Sequence, residues 1–451
     1  MKTVGIIAEY NPFHTCHEYH IQKAKELTGA DYAIAVMSPD FVQRGEPAVF
    51  DKYTRADMAL RCGADLVIEL PVCYATGSAE YFAEGAAALL NALGIVDVLC
   101  FGAETDEPVM FEHAARILSD EPEEYKAALK EGLKNGLTFP QARSKALSLF
   151  SWSGNEEHLE LTDSLAEFVE TPNNILGIEY CRALYKFNSS IRPLPLKRIG
   201  SEYNSSRLDR RFCSATALRA AISDNSEILY ETDGRFGHGE LRKKYNLNEN
   251  AWKRMQKFVP KVCRDIFYNR CLTPMYMEDF LSYLNLRLLD ATLYNESASD
   301  GLAGILDISP DLADRITKLR FSCMGKSYSE IIALLKTKQI TEARIRRALL
   351  HLMLGIRTAD VEQYRTNGTV YYAHVLGFRK DASELLHEIK ERSTVPLITK
   401  TASASKMLEG PALQMWEQDL YATHLYRSVQ AALYRIPFKT EYECSPVIHK
   451  S

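Results

Sequence analysis

Through the first hundred residues, short apolar runs alternate with amphipathic stretches. The runs at residues 4–8 (VGIIA), 31–37 (DYAIAVM), 64–71 (ADLVIELP) and 96–102 (VDVLCFG) are unbroken and rich in β-branched residues. Strands buried on both faces show that pattern, because neither face has to be polar. Between them, residues 17–27, 52–62 and 78–93 repeat their apolar positions at helical spacing. Strand and helix in alternation predict βαβ units and an α/β fold around a doubly wound, mainly parallel, Rossmann-like sheet. Residues 107–149 read as charge-rich helix, restarting at Pro140, and the polar stretch 151–162 carries little signal. TPNNILG at 171–177 opens a helix over 178–186 with capping residues. A strand follows at 191–199, then a helix from Cys213.

From about residue 231 the pattern changes. Strand signals fade, and helical periodicities occupy 249–269, 276–293, 302–307, 309–319, 328–335, 342–354, 382–392 and 414–434. Residues 355–367 read as a connector, and 369–376 (TVYYAHVL) as a strand or short insertion. A chain of 451 residues exceeds the roughly 250–300 at which single cores stop growing. The expected organisation is a catalytic sheet domain over 1–230 and a mainly helical domain over 231–451.

Composition adds three points. The chain is 46% hydrophobic and 25% charged, ordinary for a soluble globular protein, and its most apolar region, 72–101, carries Glu80 and Glu84 and is not a membrane span. Ten cysteines form no C-x-x-C pair, which predicts free thiols in a reducing cytoplasm and no structural zinc site. The net charge of −5 hides an asymmetry: residues 231–451 hold 32 Lys+Arg against 26 Asp+Glu, leaving 22 against 33 before them. A basic second half suits a polyanionic partner. Its most basic piece, 335–347, carries Lys336 and Lys338, then Arg344 and Arg347 one helical turn apart.

The chemistry concentrates at residues 3–20, TVGIIAEYNPFHTCHEYH. A buried strand breaks at Asn11-Pro12, and His14 and His17 follow at the start of a helix. Unpaired N–H groups and the positive end of the helix dipole favour an anion there, and two imidazoles could add charge-assisted bonds to a phosphate. The spacing resembles the HxGH signature of nucleotidylyl transferases, with Cys16 in the place of the glycine. About 200 residues later, CSATALR (213–219) offers Ser214, Thr216 and Arg219 at a second helix start, resembling the S-x-T-x-x-R signature of the same superfamily. Arg44, beside a glycine in the loop 41–47, also stands where ligands bind in open α/β sheets. Gly102, ending a strand at that edge, would let a base or ribose approach the backbone.

Read together, GIIAEYNPFH, FVQRGEPAVFDKYTRADMAL, ADLVIELP, FGAETD, PNNILGIEY, SATALR and LKTKQITEARIRRALLHLMLGI resemble the tRNA(Met) cytidine acetate ligase family as far as about residue 356. That resemblance implies an enzyme that joins acetate to ATP as acetyl-adenylate. It then passes acetyl to N4 of the wobble cytidine of elongator tRNA(Met), giving N4-acetylcytidine. It implies an ATP-binding turn of Ile7, Ala8, Glu9, Tyr10, Asn11, Pro12, Phe13, His14, Thr15, Cys16, His17, Glu18, Tyr19 and His20, with His14 and His17 catalytic on the phosphates. Gly102, Asn173 or Asn174, Arg198, Ser214, Thr216 and Arg219 would complete the ATP site. The basic helical half, with Lys336, Lys338, Arg344 and Arg347, would carry the tRNA. Mg²⁺ on the departing pyrophosphate is expected, although no carboxylate cluster marks its ligands; no resident metal, membrane segment or obligate protein partner is expected. Two alternatives stay open on sequence: a related transferase activating another small acid, and an ATP- and RNA-binding module without catalysis.

Overall fold

Alternate residues of the central strands enter two different cores. Val4 and Ile6 of the first strand, with Ala33, Ala35 and Met37 of the second, face one layer of helices. Ile7, Ile34 and Val36 face the other. This is the period-two geometry of a pleated sheet with both faces covered. The computed structural model describes residues 1–148, 168–169, 171–198, 213–224, 226–232, 241–290 and 301–450. The polar stretch 151–162 lies outside them.

Strand β1 (Thr3–Ala8) leads through helix α1 (Thr15–Thr28) to β2 (Tyr32–Met37). A small antiparallel ribbon follows, β3 (Phe41–Val42) with β4 (Glu46–Pro47). Helix α2 (Lys52–Arg61) then leads to β5 (Leu66–Glu69), and the helix Ala79–Ala92 to β6 (Val98–Ala103). After three helices between Pro108 and Ser148, the helix Pro172–Lys186 returns the chain to β7 (Arg192–Lys197). These strands are parallel in the order β5-β2-β1-β6-β7. The chain winds outward from β1 on one side and then crosses to β6 on the other. The order therefore reverses at β1, which puts the ligand crevice at its carboxyl end.

Two features of the second half depart from the helical expectation. Strand β8 (Ser226–Thr232) pairs antiparallel with β9 (Leu241–Leu247). The segment read as a strand or insertion is β10 (Ala373–Arg379), which adds antiparallel to β5 and extends the central sheet. Strands β11 (Leu397–Ile398) and β12 (Val447–His449) then pair with β10 in parallel. Otherwise the described part of 249–434 is helical, including Pro310–Cys323, Glu342–Leu354 and the long Gly410–Tyr434.

A buried charge network fastens this return. Lys52, first residue of α2, places its ammonium 2.7 Å from Glu69 Oε1 and 2.8 Å from Glu441 Oε1. Arg427 pairs with the other oxygen of Glu441 at 2.8 Å, and His374 on β10 meets Glu69 at 2.5 Å. Burial alone would lower the Lys52 pKa, but Glu441 and Glu69 outweigh it and hold it well above the ordinary value. Burial likewise opposes ionisation of Glu441, yet Lys52 and Arg427 draw its carboxyl down to about 2. Removing one partner of such a set leaves an uncompensated buried charge, a loss of about 3–5 kcal/mol.

Candidate active site

The carboxyl end of β1 is shaped by one buried cation. Arg55 of α2 is fully buried and donates to the carbonyls of Glu9 (2.6 Å), Ser38 (3.0 Å), Pro39 and Phe50 (2.9 Å). A single guanidinium thus fixes the ends of β1 and β2. Beyond it Tyr10 takes a left-handed φ of 51° and the Asn11-Pro12 peptide is cis. The chain then enters α1 with His14 as its N-cap.

The two histidines stand close, ring centroids 4.0 Å apart, and the Tyr10 ring backs His17 at 4.9 Å. His14 Nδ1 lies 3.2 Å from the Pro12 carbonyl, so that nitrogen carries its proton. The His14 amide donates to His17 Nδ1 at 3.3 Å, so a neutral His17 carries its proton on Nε2. Burial pushes His14 and His20 down to about 4 and His17 well below its ordinary value. Burial thus disfavours the charged form of these rings before a ligand binds, and the charge-assisted bonds expected from the sequence would depend on a bound phosphate offsetting that cost. Nε2 of His17 is a ready donor, and Nε2 of His14 becomes one on protonation.

The second signature meets the first across the chain. Arg219 donates to the Asn11 carbonyl at 2.6 Å and to Thr216 Oγ1 at 3.3 Å, and also pairs with Glu46 at 3.3 Å. Ser214 caps its helix by accepting from the Ala217 amide at 3.0 Å. Arg44 reaches Thr216 Oγ1 at 3.5 Å, so the ribbon loop joins the site.

A cavity of about 180 Å³ opens between these elements. Of the sequence-predicted residues, Ile7, Ala8, Glu9, Tyr10, Asn11, His14, His17, His20, Gly102, Asn173, Arg198, Ser214, Thr216 and Arg219 line it. Pro12, Phe13, Thr15, Glu18 and Asn174 do not; Phe13 is wholly buried in the core beneath. Cys16 and Tyr19 border an adjoining recess with Gly102 and Arg198. A Cβ at Gly102 would come 3.4 Å from Arg198 Cγ, so the bare backbone keeps that side open.

Glu104, missed in the sequence, sets the two asparagines apart. Its Oε1 accepts from Asn173 Nδ2 at 2.5 Å, and its Oε2 from the Asn174 amide at 3.0 Å. The Asn174 side chain turns back to accept from the Glu104 amide at 2.9 Å. Only Asn173 borders the cavity, beside Phe82, Phe101, Leu176 and Tyr180, which give that end an apolar wall.

Cys16 is the second helical residue of α1, where the backbone needs no positive φ and no glycine. Its thiol lies 3.6 Å from the Cys213 carbonyl, and burial raises it to about 11. It is a protonated bridge between the two signatures.

The basic segment 335–347 separates into two kinds of cation. Lys336 and Lys338 are exposed. Arg347 instead forms a bidentate pair with Asp307 at 2.8 and 3.0 Å, and Arg344 donates to the Asp307 carbonyl at 3.0 Å. Both arginines, expected from the sequence to meet tRNA, are half-buried and hold the loop before the helix Pro310–Cys323. Among the described residues, one group has metal-ligand geometry, Glu69, His374 and Glu441. The Lys52 ammonium already supplies the cation there, away from the cavity. No helix among the described residues is long and apolar enough to cross a membrane.

Residues 1–439 match the HIGH Nucleotidyl Transferase family. A tRNA(Met) cytidine acetate ligase of Caldanaerobacter subterraneus is 39% identical over 429 residues, 94% of this chain and 95% of the relative. Another, of Clostridium kluyveri, is 36% identical over 448 residues, 99% of each. The crystal structure of Thermotoga maritima TmcAL bound with alpha-thio ATP superposes with a TM-score of 0.82 at 30% identity, covering 100% of both chains. Its apo form gives a TM-score of 0.84. By matched length and by identity, this chain belongs to the HIGH nucleotidyl transferases and, among them, to the tRNA(Met) cytidine acetate ligase family.

Proposed function

We propose that this chain is an ATP-dependent ligase that forms acetyl-adenylate and transfers acetyl to N4 of the wobble cytidine of elongator tRNA(Met). One observation carries the reading. Two helix N-termini about 200 residues apart converge on one cavity at the sheet's switch point, bringing His14, His17, Ser214, Thr216 and Arg219 together. The apolar wall with Asn173 suits a purine, and the arginine and histidine end suits its phosphates.

In the first step an acetate oxygen attacks the α-phosphorus, and the bond from that phosphorus to pyrophosphate breaks. Acetate is ionised at neutral pH, so the step needs no base. It needs charge stabilisation around the phosphoryl group, which Arg44, Arg219, Arg198, the His17 Nε2–H and the helix-end amides supply. The described wall offers one carboxylate, Glu9. Mg²⁺ would therefore come with the nucleotide phosphates and its own waters, offsetting charge on the pyrophosphate, rather than sit in a protein cage. In the second step the acyl group is already activated, and a wobble base is unpaired, so it enters without melting a helix.

We place tRNA on the helical half, with Lys336 and Lys338 as exposed phosphate contacts and Arg344 and Arg347 shaping that surface through Asp307. The division of labour near residue 230 is functional, since β10 to β12 belong to the sheet. All ten cysteines are free, in keeping with a reducing, cytoplasmic setting. The test is acetate-dependent ATP–pyrophosphate exchange, followed by mass spectrometry of tRNA(Met) nucleosides after incubation with ATP and labelled acetate. Exchange with another small acid but not with acetate would overturn the substrate assignment.

A further inference from the structure

Resting on the acetate-ligase reading above, we propose that Glu9 is the general base of acyl transfer: its carboxylate takes the proton that the cytidine amine sheds on attacking the acetyl group. In that step the N4–acyl carbon bond forms and the acyl carbon–oxygen bond to AMP breaks. AMP leaves with the bonding electron pair on its phosphate oxygen. The amine's surplus proton passes to a Glu9 oxygen and from there to solvent.

The cavity binds a polyanion and a carboxylate substrate, so a carboxylate in its wall works against binding. Two unit charges 4 Å apart interact by about 1 kcal/mol in water and about 4 kcal/mol at a dielectric of 20. Glu9 is nevertheless there, the single carboxylate among the described lining residues. Glu46, nearby, pairs with Arg219. The position is held firmly: the Glu9 carbonyl is fixed by Arg55 at 2.6 Å, and its Oε1 accepts from the Gln43 amide at 2.9 Å. No described residue donates to Oε2. One oxygen is anchored and the other takes no hydrogen bond from a described residue, in a side chain that lines the cavity, an arrangement that suits a proton acceptor.

The other lining groups are poorer acceptors. Arginines cannot accept a proton, and burial leaves His14 and His20, at about 4, weak bases. Enclosure raises the Glu9 carboxyl above its ordinary value, with Arg44 and Arg219 opposing and Glu46 assisting. Arg55 of α2 faces the same group. A raised carboxyl titrates nearer the working pH, where a general base is most effective.

The test uses the full chain with Glu9→Gln and Glu9→Asp. Acetate-dependent ATP–pyrophosphate exchange reports adenylation. Single-turnover transfer from enzyme-bound acetyl-adenylate to tRNA(Met), followed from mildly acid to mildly alkaline pH, reports the second step. Glutamine keeps the bond from the Gln43 amide, so the loop stays braced. Glu9→Gln should slow transfer about 10²–10³-fold, far more than it slows exchange, and should abolish the rise of transfer rate with pH. Glu9→Asp should keep that rise at a reduced rate. Equal losses in exchange and transfer would assign Glu9 to the nucleotide or its metal and overturn the proposal. So would wild-type transfer with an unaltered pH profile in Glu9→Gln. A wild-type enzyme without acetate-dependent exchange would instead sink the acetate-ligase reading, and this role with it.

Discussion

The sharpest test of how the helical half supports the ATP site is one methyl group at Gly45. This glycine sits in the β3–β4 loop at φ +75°, and a Cβ there would lie 2.5 Å from both Arg346 C and Arg347 N. Both atoms are backbone of the helix Glu342–Leu354, so neither can swing aside as a side chain could. Reaching the 3.4 Å of ordinary contact from 2.5 Å requires a shift of about 0.9 Å. A left-handed conformation costs alanine about 1 kcal/mol, and overpacking adds about 1–3 kcal/mol. Gly45→Ala should therefore destabilise by about 2–4 kcal/mol. Gly29→Ala is the control, since Gly29 has φ +63° with nothing within 4 Å of its Cβ, and should lose only about 1 kcal/mol. The same shift would pull Arg44 away from Thr216, already at 3.5 Å. One charged contact is worth about 1.5–3 kcal/mol, so exchange should fall about 10–100-fold in Gly45→Ala and hold in Gly29→Ala. Denaturant unfolding and acetate-dependent exchange measure both effects. If the two variants match in stability and in exchange, the loop is not wedged against the helix, and the coupling argument fails.

Four further outcomes follow from the same geometry. His14→Ala and His17→Ala should each slow exchange about 10²–10³-fold; wild-type exchange in the double variant would refute their role. ATP binding should take up protons, because a phosphate favours the charged form of His14, which burial holds at about 4 in the free enzyme; binding should tighten as pH falls towards the ordinary histidine range. Titration calorimetry in two buffers of different ionisation enthalpy checks this, and zero uptake would contradict it. Lys336→Glu with Lys338→Glu should weaken tRNA binding and flatten its salt dependence by about two units, whereas Arg347→Glu should chiefly destabilise the fold, read by unfolding and by filter binding across salt concentrations. Glu441, drawn from 4.5 down to about 2 against its burial, contributes stability on the order of 3 kcal/mol; the contribution is complete above 4.5 and disappears as pH falls towards 2. Acid unfolding of the wild type should therefore be steeper through that window than that of Glu441→Gln, and identical profiles would refute the network's share.

What was legible in the sequence follows the range of the interactions. Strands β1, β2, β5 and β6 could be read because a doubly covered parallel strand must be apolar throughout, a local property. The two signatures were legible because each is a short loop at a helix start. Features set by distant partners were not. Lys52 looks like an ordinary helix start until Glu69 and Glu441 are placed beside it, and β10 is ambiguous until β5 offers an edge. The pair β8–β9 was hidden because LRKKYNL lacks the apolar alternation of a half-buried strand. Arg347 looks like surface charge because Asp307, its partner, precedes it by 40 residues. Asn173 and Asn174 are adjacent and chemically identical, and only Glu104 turns one to the cavity and the other away.

The positions of these long-range contacts join the two halves along one edge of the sheet. Glu69 ends β5 as Ala8 ends β1, so the network of Lys52, Glu441 and His374 holds the returning chain at the carboxyl-end side of the sheet, two strands from the cavity. On the same side, Gly45 presses on the helix Glu342–Leu354, and Tyr328 Oη lies 3.5 Å from the Gly45 carbonyl and 3.4 Å from that of Arg346. The ribbon loop is thus held by the helical half on one flank and reaches Thr216 through Arg44 on the other. Acyl transfer requires that the adenylate and the tRNA base meet within a few tenths of an ångström of the productive geometry. A hinged pair of domains would have to close to achieve that. Here Lys52 buries its charge against a residue 389 positions later in the chain, and the carboxylates it neutralises come from both halves. On the function proposed above, the surface offered to tRNA and the ATP site would thus share one edge of the sheet.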